Sequence, residues 1–98
     1  MRQDKYFLDS LEMIKSTLSK LNLKGTVYLF GSSLREDYKN FSDIDLAIST
    51  PDRKLIPLLR YQLEELPIPY KIDLIDLEEV GNNLREEILK SGVIIWKN

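Results

Sequence analysis

The chain has 98 residues, a net charge of −2, and neither cysteine nor histidine. These values exclude disulfides, thiolate metal sites and imidazole catalysis, and they disfavour a broad contact with nucleic-acid phosphates. Any metal must therefore be bound by oxygen, which favours Mg²⁺. We expect one domain over residues 1–98, and the lack of a signal peptide or membrane-length apolar segment predicts a cytoplasmic protein.

The first predicted element is an amphipathic helix over residues 4–22. Apolar side chains recur every three or four positions, as at Phe7, Leu11, Ile14 and Leu18. Gly25 follows, and we expect it to adopt the left-handed conformation of a helix cap. A short β-rich run over residues 26–30 then predicts the first strand.

That strand stops at Gly31, which is followed by Ser32 and Ser33 at the predicted start of a helical turn. Unpaired backbone N–H groups at a helix start favour an anion, and glycine lets a ligand approach the backbone closely. The turn is therefore a candidate phosphate site. Arg35 and Lys39 are the cations nearby, although the simpler interpretation of each is a solvated loop charge.

The second predicted strand, over residues 43–49, carries Asp43 and Asp45. Side chains at i and i+2 of a strand emerge on one face, so both carboxylates point the same way while Ile44 is buried behind them. Adjacent carboxylates repel unless a divalent cation lies between them. If the two strands pair, a phosphate site faces a metal site, as nucleotidyl transfer requires. A solvated strand edge is the alternative for the aspartates alone.

A helix that starts between residues 55 and 57 and ends before Pro67 leads to a third strand over residues 70–77. Asp73 lies within this apolar strand, where a carboxylate is costly to bury unless it is neutralised. It is a candidate third metal ligand if the third strand pairs with the second. Asp76 lies on the opposite face and is the alternative site carboxylate, although it is better placed to cap the following turn.

A capping box that starts at Asn83 predicts a final helix over residues 83–90, and Gly92 ends it. The apolar tail, residues 93–98, is predicted to be an edge strand or a packing segment, and the alternative is a partner surface built around Trp96 and the neighbouring isoleucines. Strands that alternate with helices predict an α/β (α+β) fold with a small mixed sheet flanked by helices.

The motif formed by Gly31 and Ser32, ten further residues, and Asp43-Ile44-Asp45 resembles the signature of the DNA polymerase β-type nucleotidyltransferase superfamily. The chain is similar to its minimal nucleotidyltransferase branch, whose members act as antitoxins of HEPN-domain toxins. Family members carry Arg after the Gly-Ser and a second Gly three residues further on, where this chain has Ser33 and Glu36. Arg35 could replace the missing charge.

The resemblance implies the polymerase β-like palm fold, an ATP substrate and two Mg²⁺ ions. It further implies AMP transfer to a tyrosine of a HEPN-domain toxin, with which the chain forms a hetero-oligomer. The resulting prediction has two sets of residues. The nucleotide-binding set is Gly31, Ser32, Ser33 and Arg35, and the catalytic and metal-binding set is Asp43, Asp45 and Asp73.

Two other functions compete with this one. The departures at Ser33 and Glu36 favour an antitoxin that neutralises its partner by binding alone. A small-molecule adenylyltransferase is the third hypothesis, and the lack of a second lobe to form a substrate pocket counts against it.

Overall fold

The computed structural model describes residues 3–34 and 43–98, which form one four-stranded sheet with helices on both faces. The elements in chain order are α1 (Lys5–Lys20), β1 (Thr26–Phe30), a 3₁₀ turn (Gly31–Leu34), β2 (Ile44–Ser49), a second 3₁₀ turn (Arg53–Leu55), α2 (Ile56–Glu64), β3 (Ile72–Asp76), α3 (Asn82–Ser91) and β4 (Val93–Lys97).

The strand order is β3-β2-β1-β4. Strand β1 is antiparallel to both β2 and β4, whereas β2 and β3 run parallel. The predicted mixed sheet is therefore confirmed, and the third strand pairs with the second, which is the condition on which the prediction for Asp73 depended. The parallel pair is possible because α2 provides the crossover between β2 and β3.

Helices α1 and α2 cover one face of the sheet and form the main core with it. Phe7, Ile14 and Leu18 of α1 are fully buried, as the helical spacing predicts. The Asp4 carboxylate accepts a hydrogen bond from the Phe7 backbone N–H at 3.1 Å, so Asp4 caps the helix N-terminus.

The end of α1 differs from the prediction. Asn22, with φ of 50°, takes the left-handed position that was assigned to Gly25. Gly25 has φ of +124° and lies against β2, where a Cβ atom would collide with the Ser49 carbonyl oxygen. Glycine is therefore required at position 25 for close backbone approach rather than for the helix cap.

Helix α3 covers part of the other face, where Ile88 packs with Ala47 and Leu77. It begins one residue earlier than predicted, with Gly81 at the N-cap and no side-chain capping bond. Asn83 therefore lies inside the first turn, and the predicted capping box is wrong. Gly92 ends the helix, as predicted.

Strand β4 lies at the edge of the sheet, which confirms the edge-strand prediction for the tail. Trp96 is half-buried against the core, and its indole N–H donates to the Leu23 carbonyl at 3.1 Å. The alternative of a partner surface built around Trp96 and the neighbouring isoleucines stays a prediction, and the exposed apolar side chains of this strand are Val93 and Ile94. Among the helices described here, none combines the length and apolar character needed to cross a bilayer.

Candidate active site

The glycine turn after β1 lies directly against the first acidic strand. Phe30, the last residue of β1, pairs with Asp45 of β2. Gly31 follows with φ of +78°, and a Cβ atom there would meet the Asp45 carboxylate and lie 3.2 Å from its Cγ. Only glycine allows the turn to adopt this φ and approach Asp45 so closely. The predicted juxtaposition of the turn and the acidic strand is thus present.

The three predicted aspartates lie on one face of the sheet. Asp43 immediately precedes β2, and Asp45 is in β2, whose alternate residue Ile44 is buried on the opposite face. Asp73 is the direct register partner of Asp45 across the parallel β2 and β3 pair. Register partners share a face, so Asp73 stands beside Asp45. Asp43 and Asp73 are exposed and Asp45 is half-buried.

These carboxylates influence one another electrostatically. Burial raises the pKa of Asp45, and repulsion by the charges of Asp73 and then Asp43 raises it further. A cation placed among the three would remove that repulsion and favour the ionised form of Asp45. The electrostatic coupling therefore supports a shared site for positive charge.

The side chains do not form a finished ligand set in this conformation. Among the residues that the structure describes, no group of three acidic side chains is arranged to hold a metal ion. The strand register fixes the backbone positions of Asp45 and Asp73 side by side, and Asp43 directly precedes β2. The donors are all carboxylate oxygens, which fit a hard divalent cation such as Mg²⁺.

Ser33 has a role inside the fold. Its side chain has no exposed surface, and its hydroxyl donates to the Asp43 carbonyl at a long 3.5 Å. It thereby joins the glycine turn to the start of β2. The hydroxyl is not available to a nucleotide, so the predicted nucleotide contact of Ser33 rests on its backbone N–H alone. Ser32 is half-exposed. Arg35 lies outside the described residues.

Asp76 is separated from the other aspartates by the sheet. Its carboxylate accepts a hydrogen bond from Arg53 Nε at 2.7 Å and one from the Glu78 backbone N–H at 3.0 Å. Burial alone would raise the pKa of Asp76, but these hydrogen bonds and the charges of Arg53 and Arg60 outweigh burial and lower it. Asp76 caps the turn after β3 as predicted, so it is a poor alternative to Asp73.

A cavity that the sequence interpretation missed adjoins the glycine turn. It has a volume of about 420 Å³ and lies between the end of β1 and α3. Phe30, Gly31 and Leu34 form one side, and Leu84, Glu87, Ile88, Ser91 and Gly92 form the other. The spacing of 84, 87, 88 and 91 marks one helical face and could have been read from the sequence. The position of that face beside Gly31 could not.

A mixed sheet that presents Asp43, Asp45 and Asp73 beside a glycine turn is the arrangement of a nucleotidyltransferase. A family model described as polymerase beta, nucleotidyltransferase matches residues 12–98. The probable protein adenylyltransferase MntA of Haemophilus influenzae is 34% identical over 91 residues, covering 89% of this chain and 79% of that protein. The chain belongs to the polymerase β nucleotidyltransferase family.

Solved structures share the fold. A crystal structure of a toxin-antitoxin with AMP-PNP matches with a TM-score of 0.69 at 25% identity, over 90% of this chain and 73% of that one. A complex of tri-AMPylated Shewanella oneidensis HEPN toxin with MNT antitoxin matches with a TM-score of 0.63 at 23% identity, over 91% of this chain and 71% of that one. The fold and the family that the motif of Gly31, Ser32 and Asp43-Ile44-Asp45 predicted are thus confirmed, and the substrate class is a nucleotide.

Proposed function

We propose that the chain is a Mg²⁺-dependent protein adenylyltransferase that acts as an antitoxin. It transfers AMP from ATP to a tyrosine hydroxyl of a HEPN-domain toxin with which it associates. The observation that carries the proposal is the placement of Asp43, Asp45 and Asp73 on one face beside the Gly31 turn. The 34% identity to the probable protein adenylyltransferase MntA supports protein as the acceptor.

The proposed roles follow from position. Backbone N–H groups of the turn at Gly31 and Ser32 bind the β and γ phosphates. Arg35, which follows the turn in the chain, contributes a positive charge to the same phosphates. Asp43, Asp45 and Asp73 would hold two Mg²⁺ ions. When bound, Mg²⁺ supplies neutralisation of the charge that develops on the phosphoryl oxygens. We place the reaction in the cytoplasm, where ATP and Mg²⁺ are available.

The transfer itself breaks one bond and forms another at the α phosphorus. The tyrosine oxygen loses its proton and attacks, the bond from the α phosphorus to the bridging oxygen breaks, and pyrophosphate leaves with the electron pair. Asp73 is exposed at the sheet edge and adjacent to Asp45, so its carboxylate is placed to accept the tyrosine proton.

A second candidate, neutralisation by binding alone, is favoured by specific observations. Ser33 replaces the arginine of the family, and its hydroxyl is buried. Among the residues that the structure describes, those that line the cavity beside Gly31 include neither lysine nor arginine. A weaker phosphate site would leave an antitoxin that occludes the toxin without modifying it.

The test is incubation of the chain with the purified toxin, Mg²⁺ and ATP labelled at the α phosphate. We expect label on the toxin with the wild type and at least a hundredfold less with Asp45→Asn, because a metal-binding carboxylate is lost. Asp52→Asn is the matched control, since Asp52 is exposed and lies away from the site. ATP labelled at the γ phosphate should leave the toxin unlabelled. An unlabelled toxin that is nevertheless neutralised would establish binding alone.

A further inference from the structure

The cavity beside the glycine turn carries an inference that rests on the proposed function and extends it. The geometry points to this cavity as the site of the nucleobase, with Glu87 as the residue that selects a base bearing an exocyclic amino group. The volume of about 420 Å³ falls in the range of small-molecule pockets. The cavity is distinct from the acidic cluster but shares Gly31 with the phosphate turn.

Continuity with the turn argues for a part of the nucleotide as the occupant. Gly31 both lines the cavity and lies against the Asp45 carboxylate. A triphosphate bound at Gly31 and Ser32 therefore leaves its nucleoside within reach of the cavity. Phe30 is half-buried on the same sheet face as Asp45 and forms one wall. An aromatic wall suits a planar base, which can stack on it.

The opposite wall combines apolar surface with one carboxylate. Leu84 and Ile88 supply the apolar surface, and Glu87 lies between them on the same face of α3. An ionised carboxylate only accepts hydrogen bonds. The amino groups of adenine, guanine and cytosine donate them, whereas uracil presents two carbonyl oxygens around its single N–H. The cavity therefore favours amino-bearing bases over uracil.

The acceptor tyrosine suits this cavity less well. Its phenol oxygen must reach the α phosphorus, so only ring carbons would face Glu87. A carboxylate beside those carbons would lose solvation without gaining a hydrogen bond. The amino-bearing base satisfies the carboxylate and the apolar walls together.

The experiment compares ATP with purine riboside 5′-triphosphate, which differs from ATP only in lacking the amino group. Affinities are measured by calorimetry with Mg²⁺ for the full chain and for Glu87→Ala. Because the two ligands carry the same charge, the ratio of their affinities within one protein cancels the effect of removing a negative charge. Glu86→Ala is the matched control, since Glu86 is exposed on α3 and does not line the cavity.

We expect the wild type and Glu86→Ala to bind ATP about tenfold more tightly than the analogue, and Glu87→Ala to bind both alike. A second pair tests the cavity by filling it. Leu84→Trp should weaken ATP binding at least tenfold and leave inorganic tripolyphosphate binding unchanged. Leu89→Trp should change neither, because Leu89 is exposed elsewhere on α3.

Each result decides between the two proposals. Equal affinity of the wild type for ATP and the analogue, or the same ratio in both alanine variants, overturns the base assignment but leaves the transferase standing. Loss of AMP transfer in Leu84→Trp with unchanged ATP affinity would assign the cavity to the acceptor tyrosine. That result would also overturn the base assignment. If the wild type binds neither tripolyphosphate nor ATP, the proposed function fails and the base assignment fails with it.

Discussion

Replacement of Gly31 by alanine tests the coupling between the glycine turn and Asp45. Alanine at φ of +78° costs about 1–2 kcal/mol. Its Cβ would also collide with the Asp45 carboxylate, and turning that side chain away costs about 0.5–1.5 kcal/mol. The lower entropy of alanine in the unfolded chain offsets about 0.4–1 kcal/mol. We expect a net loss of about 2 kcal/mol, which lowers Tm by about 8–16 °C for a chain of this size.

The assay is thermal unfolding followed by circular dichroism, together with the AMP-transfer assay below the Tm of the variant. Gly81→Ala is the matched control, because φ at Gly81 is −64° and no atom lies within 4 Å of a Cβ built there. We expect that control to change Tm by only a few degrees and to retain activity. Equal Tm values for the two variants would refute the strain argument, and full activity of Gly31→Ala would refute the coupling to Asp45.

Three further predictions concern charge and packing. Since the folded-state pKa of Asp45 is raised, the charge of Asp45 destabilises the cation-free fold at pH values above the ordinary pKa of 3.8. Asp45→Asn should therefore raise the free energy of unfolding at pH 7 by less than about 1 kcal/mol. Mg²⁺ should raise Tm only in the wild type. Unchanged Mg²⁺ stabilisation of Asp45→Asn would contradict this. The lowered pKa of Asp76 contributes stability at pH values above 3.8, and this stability is lost as pH falls through the folded-state pKa. Asp76→Asn should therefore lower Tm at pH 7 and lower it less at pH 3, which a series of thermal melts at different pH values would measure. Trp96→Phe removes the hydrogen bond to Leu23 and should cost about 1 kcal/mol in urea unfolding, whereas Ile94→Ser, at a side chain 50% exposed, should cost less.

The elements that local rules govern were predictable from the sequence. The alternation of Ile44, Leu46 and Ile48 with Asp45 set the two faces of β2, because the side-chain period of a strand is two. Gly31 marked the end of β1, since no other residue tolerates φ of +78° next to a neighbouring strand. These local rules were sufficient for the faces of β2, whereas the family came from the resemblance of the motif and the position of Asp73 beside Asp45 required the pairing of β3 with β2.

Tertiary packing decided the features that the sequence did not predict. Gly25 serves contact with β2, and Trp96 is drawn inward by the Leu23 carbonyl, which lies 73 positions away in the chain. The burial of Ser33 depends on the approach of Asp43 across the turn. The cavity depends on where α3 crosses the sheet, which no periodicity within α3 specifies.

The most direct test of the account is the location of metal in a crystal of the chain grown with Mn²⁺ and a non-hydrolysable ATP analogue. Mn²⁺ replaces Mg²⁺ at oxygen sites and is located by its anomalous scattering. The account predicts anomalous peaks between the carboxylates of Asp43, Asp45 and Asp73, with the phosphates of the analogue at Gly31. Ordered nucleotide at Gly31 with no peak at these carboxylates, or metal bound only elsewhere, would contradict it.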